Sequence, residues 1–353
     1  MRDMIDISYY KDKKVFVTGY TGFKGTWLCH ILLYVGAEVT GYALEPLTNP
    51  SLYEQTGIQK NIHSIIDDIR NREHLLQALR ETNPDIVFHL AAQPLVRRSF
   101  REPSLTYETN VMGTVNILEA LRCTPSVESF VNVTTDKVYE NKEWHWGYRE
   151  NENLCGLDPY SNSKSCSELV TFSYKDSFFA DKDSPAISTA RSGNVIGGGD
   201  YSEDRIVPDC VRAAKAGKNI VIRNPCSIRP YQHVLECLSG YLLLAEKQSV
   251  NKELAGNYNF GPNEESCVTT GALTELFCDA WGENICWTSQ GDGGPHEANY
   301  LKLDCSKARN VLGWKPQWDI KTAVEKTVEF SKSDIDAKRF VEKQIQEYFG
   351  YHT

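Results

Sequence analysis

The chain has 353 residues, of which 41% are hydrophobic and 24% charged, a composition typical of a globular protein with a buried core. Its 38 basic and 47 acidic residues give a net charge of -9, which argues against nucleic-acid or anionic-membrane partners, since both require a basic surface. The eleven cysteines form no CxxC pair, and no stretch reaches the roughly 18 apolar residues that span a bilayer, so we expect a cytoplasmic protein without a disulfide framework.

Short apolar runs alternate with helical patterns in the first half of the chain. Strands are predicted at residues 14–18, 38–43, 65–66, 85–90, 130–133 and 186–190. Helices are predicted at residues 26–35, 73–80, 110–122 and 159–179. This alternation predicts an α/β fold with a doubly wound, parallel, Rossmann-type sheet.

The pattern weakens after Arg191, where glycines and prolines, Pro208 among them, become frequent. We therefore expect a smaller, loop-rich C-terminal lobe over the carboxyl ends of the strands, where doubly wound folds bind ligands. The predicted division assigns residues 1–190 and about 233–262 to the Rossmann domain, and about 191–232 and 263–353 to the lobe.

A glycine-rich turn follows the first predicted strand. Gly19, Gly22 and Gly25 recur at every third position around Phe23, between a strand and a helix. Residues without a Cβ atom let the backbone approach a pyrophosphate, and the amide groups at the helix N-terminus then point at it. The context predicts a dinucleotide-binding turn.

Other segments extend this predicted cofactor site. Asp68 can accept a hydrogen bond from the adenine amino group, and Ile69 can pack on the ring. Glu45 lies 26 positions after Gly19, beyond the usual offset of about 20 for the acid that marks NAD. No arginine cluster follows to hold a 2′-phosphate, so we favour NAD over NADP. The remaining predicted cofactor-binding residues are Leu90, Ala91, Ala92, Thr109, Tyr160 and Lys164.

Tyr160 and Lys164 form a candidate catalytic pair. They are four residues apart near the start of a long predicted helix, so both lie on one face. The ammonium group should lower the pKa of the phenol, which can then take a proton from a hydroxyl as hydride leaves. Lys164 can also hold the nicotinamide ribose, and Thr135, just past the fifth strand, can bond the reacting oxygen.

Together these motifs resemble the extended short-chain dehydrogenases over residues 14 to about 328. Longer stretches are similar to the CDP-glucose 4,6-dehydratases in particular. They are GYTGFKGTWL (19–28), HLAAQPLVRRSFREP (89–103), TTDKVYENKEWHWGYRENE (134–152), DPYSNSKSCSELV (158–170), RSGNVIGGGD (191–200) and IRPYQHVLE (228–236).

The resemblance implies an NAD-dependent lyase that acts on CDP-glucose. Hydride leaves the sugar C4, water is lost across C5 and C6, and the hydride returns to C6, giving CDP-4-keto-6-deoxyglucose for deoxysugar and lipopolysaccharide (O-antigen) biosynthesis. The elimination needs an acid for the departing C6 hydroxyl, and Asp136 is placed for that role if burial raises its pKa.

Lys137 departs from the dTDP-glucose dehydratases, which carry a glutamate at this position. A lysine acts as the C5 base only if its pKa is depressed. Otherwise it stabilises the enolate electrostatically while another group takes the proton. Both interpretations stay open.

The resemblance also implies substrate-binding residues and a partner. Besides Thr135, the residues expected to hold the nucleotide sugar are Asn194, Arg205, Arg229, His296 and Tyr300. A homodimer through the helices at 110–122 and 160–179 is expected, with a tetramer as the alternative.

Three other functions are alternatives to this one: an epimerase, another nucleotide-sugar dehydratase and a non-catalytic sensor. Asp136 argues against an epimerase, which needs no such acid, whereas the choice among nucleotide-sugar dehydratases rests on the base. Tyr160 and Lys164 argue against a non-catalytic dinucleotide sensor. No metal is expected, because the sequence has no HExxH motif and no histidine–cysteine cluster.

Overall fold

The computed structural model describes residues 6–282, 285–291 and 298–350. Its strands are β1 (Lys14–Thr18), β2 (Glu38–Ala43), β3 (His63–Ile66), β4 (Ile86–His89), β5 (Ser129–Val133), β6 (Ala186–Ser192), β7 (Val195–Ile196), β8 (Ile220–Ile222), β9 (Ile228–Pro230), β10 (Gln232–His233), β11 (Asn257–Phe260), β12 (Cys267–Thr269) and β13 (Trp287–Ser289). Its α-helices are α1 (Phe23–Tyr34), α2 (Leu52–Thr56), α3 (Arg72–Thr82), α4 (Val96–Arg101), α5 (Pro103–Tyr107), α6 (Gly113–Leu121), α7 (Pro159–Phe178), α8 (Ile206–Lys215), α9 (Val234–Val250), α10 (Thr270–Trp281), α11 (Ile320–Lys332) and α12 (Ala337–Phe349).

Seven parallel strands form the central sheet, in the order β11-β6-β5-β4-β1-β2-β3. Val15 in β1 pairs with Val39 on one side and Ile86 on the other. The chain thus winds outward from β1 to β3 and then returns to place β4 on the opposite side of β1. This reversal opens a crevice at the carboxyl ends of β1 and β4, where ligands of open α/β sheets bind.

The side chains of successive strand residues pack alternately into two hydrophobic cores, one on each face of the sheet. Val15 and Val17 pack with α1, α9 and α12, whereas Phe16 between them packs with α3 and α6. Ile86 and Val87 divide between the faces in the same way. Both faces of β1 and β4 are therefore buried, which explains why these strands read as apolar runs. The predicted doubly wound α/β class is confirmed.

The first helix begins three residues earlier than predicted, because Gly22 caps it directly after the turn. The helix predicted at 110–122 differs more. A π-helical turn at Glu108–Met112 precedes α6, and the Asn110 side chain bonds the backbone of Gln93 and the Ser163 hydroxyl. This turn ties the loop after β4 to α7.

The second half contains more regular structure than the sequence predicts. Helices α8 to α12 follow β6, and α8, α10 and α11 share a third core. Pro208 lies in the first turn of α8, where a proline removes no intrahelical hydrogen bond, so it does not interrupt the helix. β11 joins the central sheet, and α9 packs on the same sheet. The two-domain division stays a prediction.

Candidate active site

The glycine turn between β1 and α1 brings two backbone segments closer than side chains would allow. Gly19 has a φ of +73°, and a Cβ atom there would lie 2.7 Å from the backbone nitrogen of Ala91. A Cβ atom at Gly25 would lie 2.2 Å from the carbonyl oxygen of Gly19. Gly22 is the N-cap residue and provides no side-chain cap, so the first amide groups of α1 can bind an anion. The turn fits a pyrophosphate.

Asp68 and Ile69 follow β3, but both make contacts within the protein. The Asp68 carboxylate accepts hydrogen bonds from Arg70 Nε at 3.1 Å and from Nη2 at 2.7 Å, and these bonds lower its pKa. Ile69 is 4% exposed, and a Cβ atom on Gly113 would lie 2.8 Å from its Cγ2 atom. Ile69 therefore packs under α6, and its contact with an adenine ring stays a prediction.

The segment after β4 lies beside the glycine turn. The backbone nitrogen of Ala91 donates to Thr18 Oγ1 at 3.1 Å, and that of Leu90 donates to the Thr18 carbonyl at 3.2 Å. Ala92 continues this segment, and Thr109 lies partly exposed in the π-helical turn. The small residues keep the crevice between β1 and β4 open to a ligand.

α7 brings Tyr160 and Lys164 against the end of β5. Asp158 caps the helix, accepting a hydrogen bond from the Ser161 amide at 2.9 Å. The Lys164 ammonium donates to the carbonyl oxygen of Val133 at 3.0 Å. Burial lowers the pKa of Lys164 to about 8, and the nearby Lys24 ammonium acts in the same direction. The predicted pair is thus assembled beside Thr135.

The pKa of Tyr160 differs from the expectation. Burial raises it to about 12, because the phenolate is poorly solvated there, and the Thr135 hydroxyl and the Arg205 charge offset only part of this effect. The expected lowering by Lys164 is wrong for this arrangement. Its ammonium group is instead committed to the backbone of β5.

Asp136 is the buried acid of the site. Its side chain follows Thr135 in a short 3₁₀ turn, and the residue is 2% exposed. Oδ1 accepts a hydrogen bond from Thr135 Oγ1 at 3.0 Å, while Oδ2 is buried without a partner among the described residues. Burial raises the pKa of Asp136, the direction expected for an acid. Lys137 is half-buried next to it, and its amide donates to Thr135 Oγ1 at 3.4 Å.

The expected substrate residues are only partly brought together. Arg205 bonds Asp200 Oδ2 at 3.2 Å, and its charge acts on Tyr160. Arg229 is 6% exposed and donates to the carbonyl oxygens of Ile228 and Ala298, so its guanidinium braces the backbone, although its charge also acts on Asp136.

The other three expected substrate residues are Asn194, Tyr300 and His296. The carbonyl oxygen of Asn194 accepts a hydrogen bond from the Gln232 amide at 3.0 Å. The Tyr300 hydroxyl donates to the carbonyl oxygen of His145 at 2.8 Å, and Tyr300 bridges to Ile228. His296 lies outside the described residues.

A buried ion pair next to the site was not predicted from the sequence. Arg191 Nε and Nη2 each donate to the Glu168 carboxylate at 2.9 Å, and Glu168 also accepts hydrogen bonds from Thr134 and Thr189. Glu168 lies one turn after Lys164, and Thr134 precedes Thr135. The pair therefore fixes α7 relative to the end of β5. An arginine directly after a predicted strand, as at Arg191, was the available signal.

Lys24 was also missed. It lies within the glycine turn motif, in the first turn of α1, and its ammonium group donates to Ser192 Oγ at 3.1 Å. Its charge acts on both Asp136 and Lys164. A lysine between two close-packed glycines was the signal in the sequence.

Within the three described ranges, no helix combines the length and the apolar character needed to cross a bilayer.

Two similar proteins match nearly the whole chain. The CDP-glucose 4,6-dehydratase of Salmonella typhimurium is 44% identical, over 99% of this chain and 100% of its own. The dTDP-glucose 4,6-dehydratase of Streptomyces antibioticus is 30% identical, over 91% and 92% of the two chains.

Solved structures show the same fold. A dTDP-glucose 4,6-dehydratase from Bacillus anthracis in complex with NAD superimposes with a TM-score of 0.77 at 22% identity, covering 93% of this chain and 99% of its own. A UDP-glucuronic acid 4-epimerase from Bacillus cereus in complex with UDP-glucuronic acid and NAD gives 0.78 at 23% identity, covering 90% and 99%.

The family model described as GDP-mannose 4,6 dehydratase matches residues 16–327, a span that includes the glycine turn and the proposed catalytic residues. The resemblance seen in the motifs is confirmed, and the chain belongs to the GDP-mannose 4,6 dehydratase family.

Proposed function

We propose that this protein is a CDP-glucose 4,6-dehydratase, a lyase that converts CDP-glucose into CDP-4-keto-6-deoxyglucose and water. The observation that carries the proposal is Asp136, a buried carboxyl group whose raised pKa suits an acid, next to Thr135 and the Tyr160–Lys164 pair. An oxidation at C4 alone would need no such acid. The choice of CDP rests on the 44% identity to the Salmonella typhimurium enzyme.

NAD is the cofactor that this site fits. The close approach of Gly19 to Ala91 and the open N-terminus of α1 leave room for a pyrophosphate. Residues 38–59 contain no arginine or lysine to hold the 2′-phosphate of NADP. Bound NAD would supply a hydride acceptor for C4 and return that hydride to C6. We assign Phe23, Asp68, Ile69, Leu90, Ala92 and Thr109 to the same site.

Tyr160 is the proposed base for the C4 hydroxyl proton. A phenol with a pKa of about 12 is almost wholly protonated near neutral pH, so only its small phenolate fraction can accept the proton from the C4 hydroxyl. Thr135 lowers the pKa of this phenol and can bond the same oxygen. Lys164 on α7 completes the group, and its ammonium group is held by the Val133 carbonyl at the end of β5.

Asp136 is the proposed acid for the C6 hydroxyl, and Lys137 is the neighbouring cation. Lys137 remains either the C5 base or the stabiliser of the enolate. Asn194, Arg205 and Arg229 are proposed to hold the diphosphate and sugar, with His296 and Tyr300 from the same lobe. Arg229 would have to exchange a backbone contact for the substrate, since both of its bonds go to carbonyl groups.

A substrate panel tests the proposed function. CDP-, dTDP-, UDP- and GDP-glucose are incubated separately with the purified protein and catalytic NAD, and the 4-keto product is read by its alkaline absorbance. We expect the highest kcat/KM with CDP-glucose and many turnovers without net NADH, because the overall reaction is redox-neutral. Preference for another nucleotide would move the assignment to a sister dehydratase. A product that is epimerised at C4 and keeps its 6-hydroxyl would show that the protein is an epimerase and not a dehydratase.

We also infer a homodimer, with a tetramer as the alternative. On α7, Leu169 and Phe172 are 54% and 57% exposed, and Met112 at the start of α6 is 51% exposed. Leu169 and Phe172 are three residues apart and therefore share one face. Apolar side chains that share an exposed helix face favour burial against a second copy.

The double variant Leu169→Glu/Phe172→Glu should be monomeric at micromolar concentration, because it would place unpaired charges in the interface. Light scattering measures the mass. Val250→Glu is the matched control, since Val250 is 79% exposed at the end of α9, on the opposite face of the sheet. A monomeric wild-type protein, or a double variant that stays dimeric, would refute this interface.

A cytoplasmic location and a role in deoxysugar biosynthesis complete the proposal. Within the part of the chain that the structure describes, the cysteines form no disulfide bond, which supports a reducing compartment.

A further inference from the structure

The side chain of Lys24 connects two elements of the candidate active site. Lys24 lies in the first turn of α1, which follows β1. Its ammonium group nevertheless donates to Ser192 Oγ at the end of β6, and β6 is the third strand from β1 in the sheet. Ser192 is itself fixed, because its hydroxyl oxygen accepts a hydrogen bond from the Tyr241 hydroxyl at 2.6 Å. Gly25, directly after Lys24, packs so closely on the turn that a Cβ atom there would lie 2.2 Å from the Gly19 carbonyl oxygen. The position of the ammonium group is therefore determined by two separate elements.

The ammonium group of Lys24 faces charges from several elements. They are the carboxyl groups of Asp136 and Asp200, the cations Arg205 and Lys164, and the thiol of Cys237. Asp200 is already paired with Arg205 at 3.2 Å. The carboxyl group that still lacks a partner for one oxygen is that of Asp136.

The backbone next to Ser192 links Lys24 to Asp136. Ser192 is followed by Gly193, where a Cβ atom would lie 3.1 Å from Asp136 Oδ2. This is the oxygen that is buried without a hydrogen-bond partner among the described residues. A buried carboxylate needs a compensating charge, since desolvation strongly disfavours its ionised form.

We propose that Lys24 is a positioning residue of the active site, whose ammonium group, held by Ser192, compensates the charge of Asp136. The catalytic meaning of this compensation rests on the proposed function, in which Asp136 must give up a proton to the C6 hydroxyl and then be protonated again. Burial raises the pKa of Asp136, whereas Lys137, Arg229 and Lys24 each lower it. Without these cations the group would be a weaker acid and would give up its proton to the C6 hydroxyl less readily.

The test reads the protonation of Asp136 directly. Infrared difference spectra are recorded against pH on the purified protein with NAD added, and the Asp136 band is assigned by its absence in Asp136→Asn. In Lys24→Met the midpoint of this band should move to higher pH, because loss of a nearby positive charge favours the protonated acid. Lys24→Arg should return the midpoint towards that of the wild type, since it restores the charge.

Two results would overturn the proposal. An unchanged midpoint in Lys24→Met would show that the two groups are not coupled. A midpoint displaced equally in Lys24→Arg would assign the effect to the shape of the side chain rather than to its charge.

A second variant and the independence of the spectra from turnover complete the experiment. If thermal unfolding shows that Lys24→Met does not fold, Ser192→Ala releases the ammonium group without removing a charge, and it should move the midpoint in the same direction. An unchanged midpoint there would equally count against the proposal. The spectra need no turnover, so failure of the wild type to convert CDP-glucose would remove the proposed function and leave the coupling result standing.

Discussion

Tyr160→Phe should slow C4 oxidation by about 10²- to 10⁴-fold while leaving the fold intact. The variant loses one hydroxyl, and the ring can still pack at the start of α7. Because the wild-type phenol has a pKa of about 12, its phenolate fraction grows as the pH rises from neutrality, so the wild-type oxidation rate should rise with pH. That dependence should be absent from the variant. Single-turnover absorbance of the reduced cofactor measures the rate.

Tyr258→Phe is the matched control for this substitution. It removes a hydroxyl that donates to the Leu254 carbonyl at 2.7 Å, on the strand at the edge of the sheet. Circular dichroism should be native in both variants. Near-normal turnover by Tyr160→Phe would exclude Tyr160 as the base.

Asp136→Asn should block elimination and spare oxidation. The amide cannot supply a proton to the C6 hydroxyl, and loss of general acid catalysis costs about 10²- to 10⁴-fold. Oxidation at C4 does not use this group. The variant should therefore accumulate enzyme-bound NADH and a 4-keto sugar that still carries its 6-hydroxyl, visible in a single-turnover absorbance trace and by mass spectrometry of the quenched sugar.

The pH dependence of elimination separates this role from a structural one. Burial raises the pKa of Asp136, so its acid form persists to higher pH than in an ordinary aspartate. The wild-type elimination rate should fall as the pH rises through that pKa, and Asp136→Asn should lack this fall. Asp85→Asn is the control, because Asp85 accepts from the Lys14 amide at 2.8 Å before β4, at the opposite ends of the strands. Fast elimination in Asp136→Asn would remove Asp136 from the acid role.

Local patterns were sufficient to predict much of this protein. The glycine turn, the strand before it and the helix after it are adjacent in the chain, so spacing alone placed Gly19, Gly22 and Gly25. Tyr160 and Lys164 were predictable for the same reason, because four residues make about one helical turn. The six predicted strands match β1 to β6, and the central strands β1 and β4 read as apolar runs because both of their faces are buried.

Contacts between distant segments were decided only by the tertiary structure. No local pattern brings Lys24 to Ser192, 168 residues away, or pairs Glu168 with Arg191 under the catalytic residues. The Tyr160 pKa depends on burial, which the whole fold sets, so the direction predicted from the sequence was wrong, whereas the direction predicted for Asp136 agrees with the structure. Arg229 looked like a phosphate ligand in the sequence, yet packing against the 298 segment directs its guanidinium to backbone carbonyls. Residue type and spacing specify which chemistry is present, whereas desolvation and hydrogen-bond partners arise only when remote segments pack together.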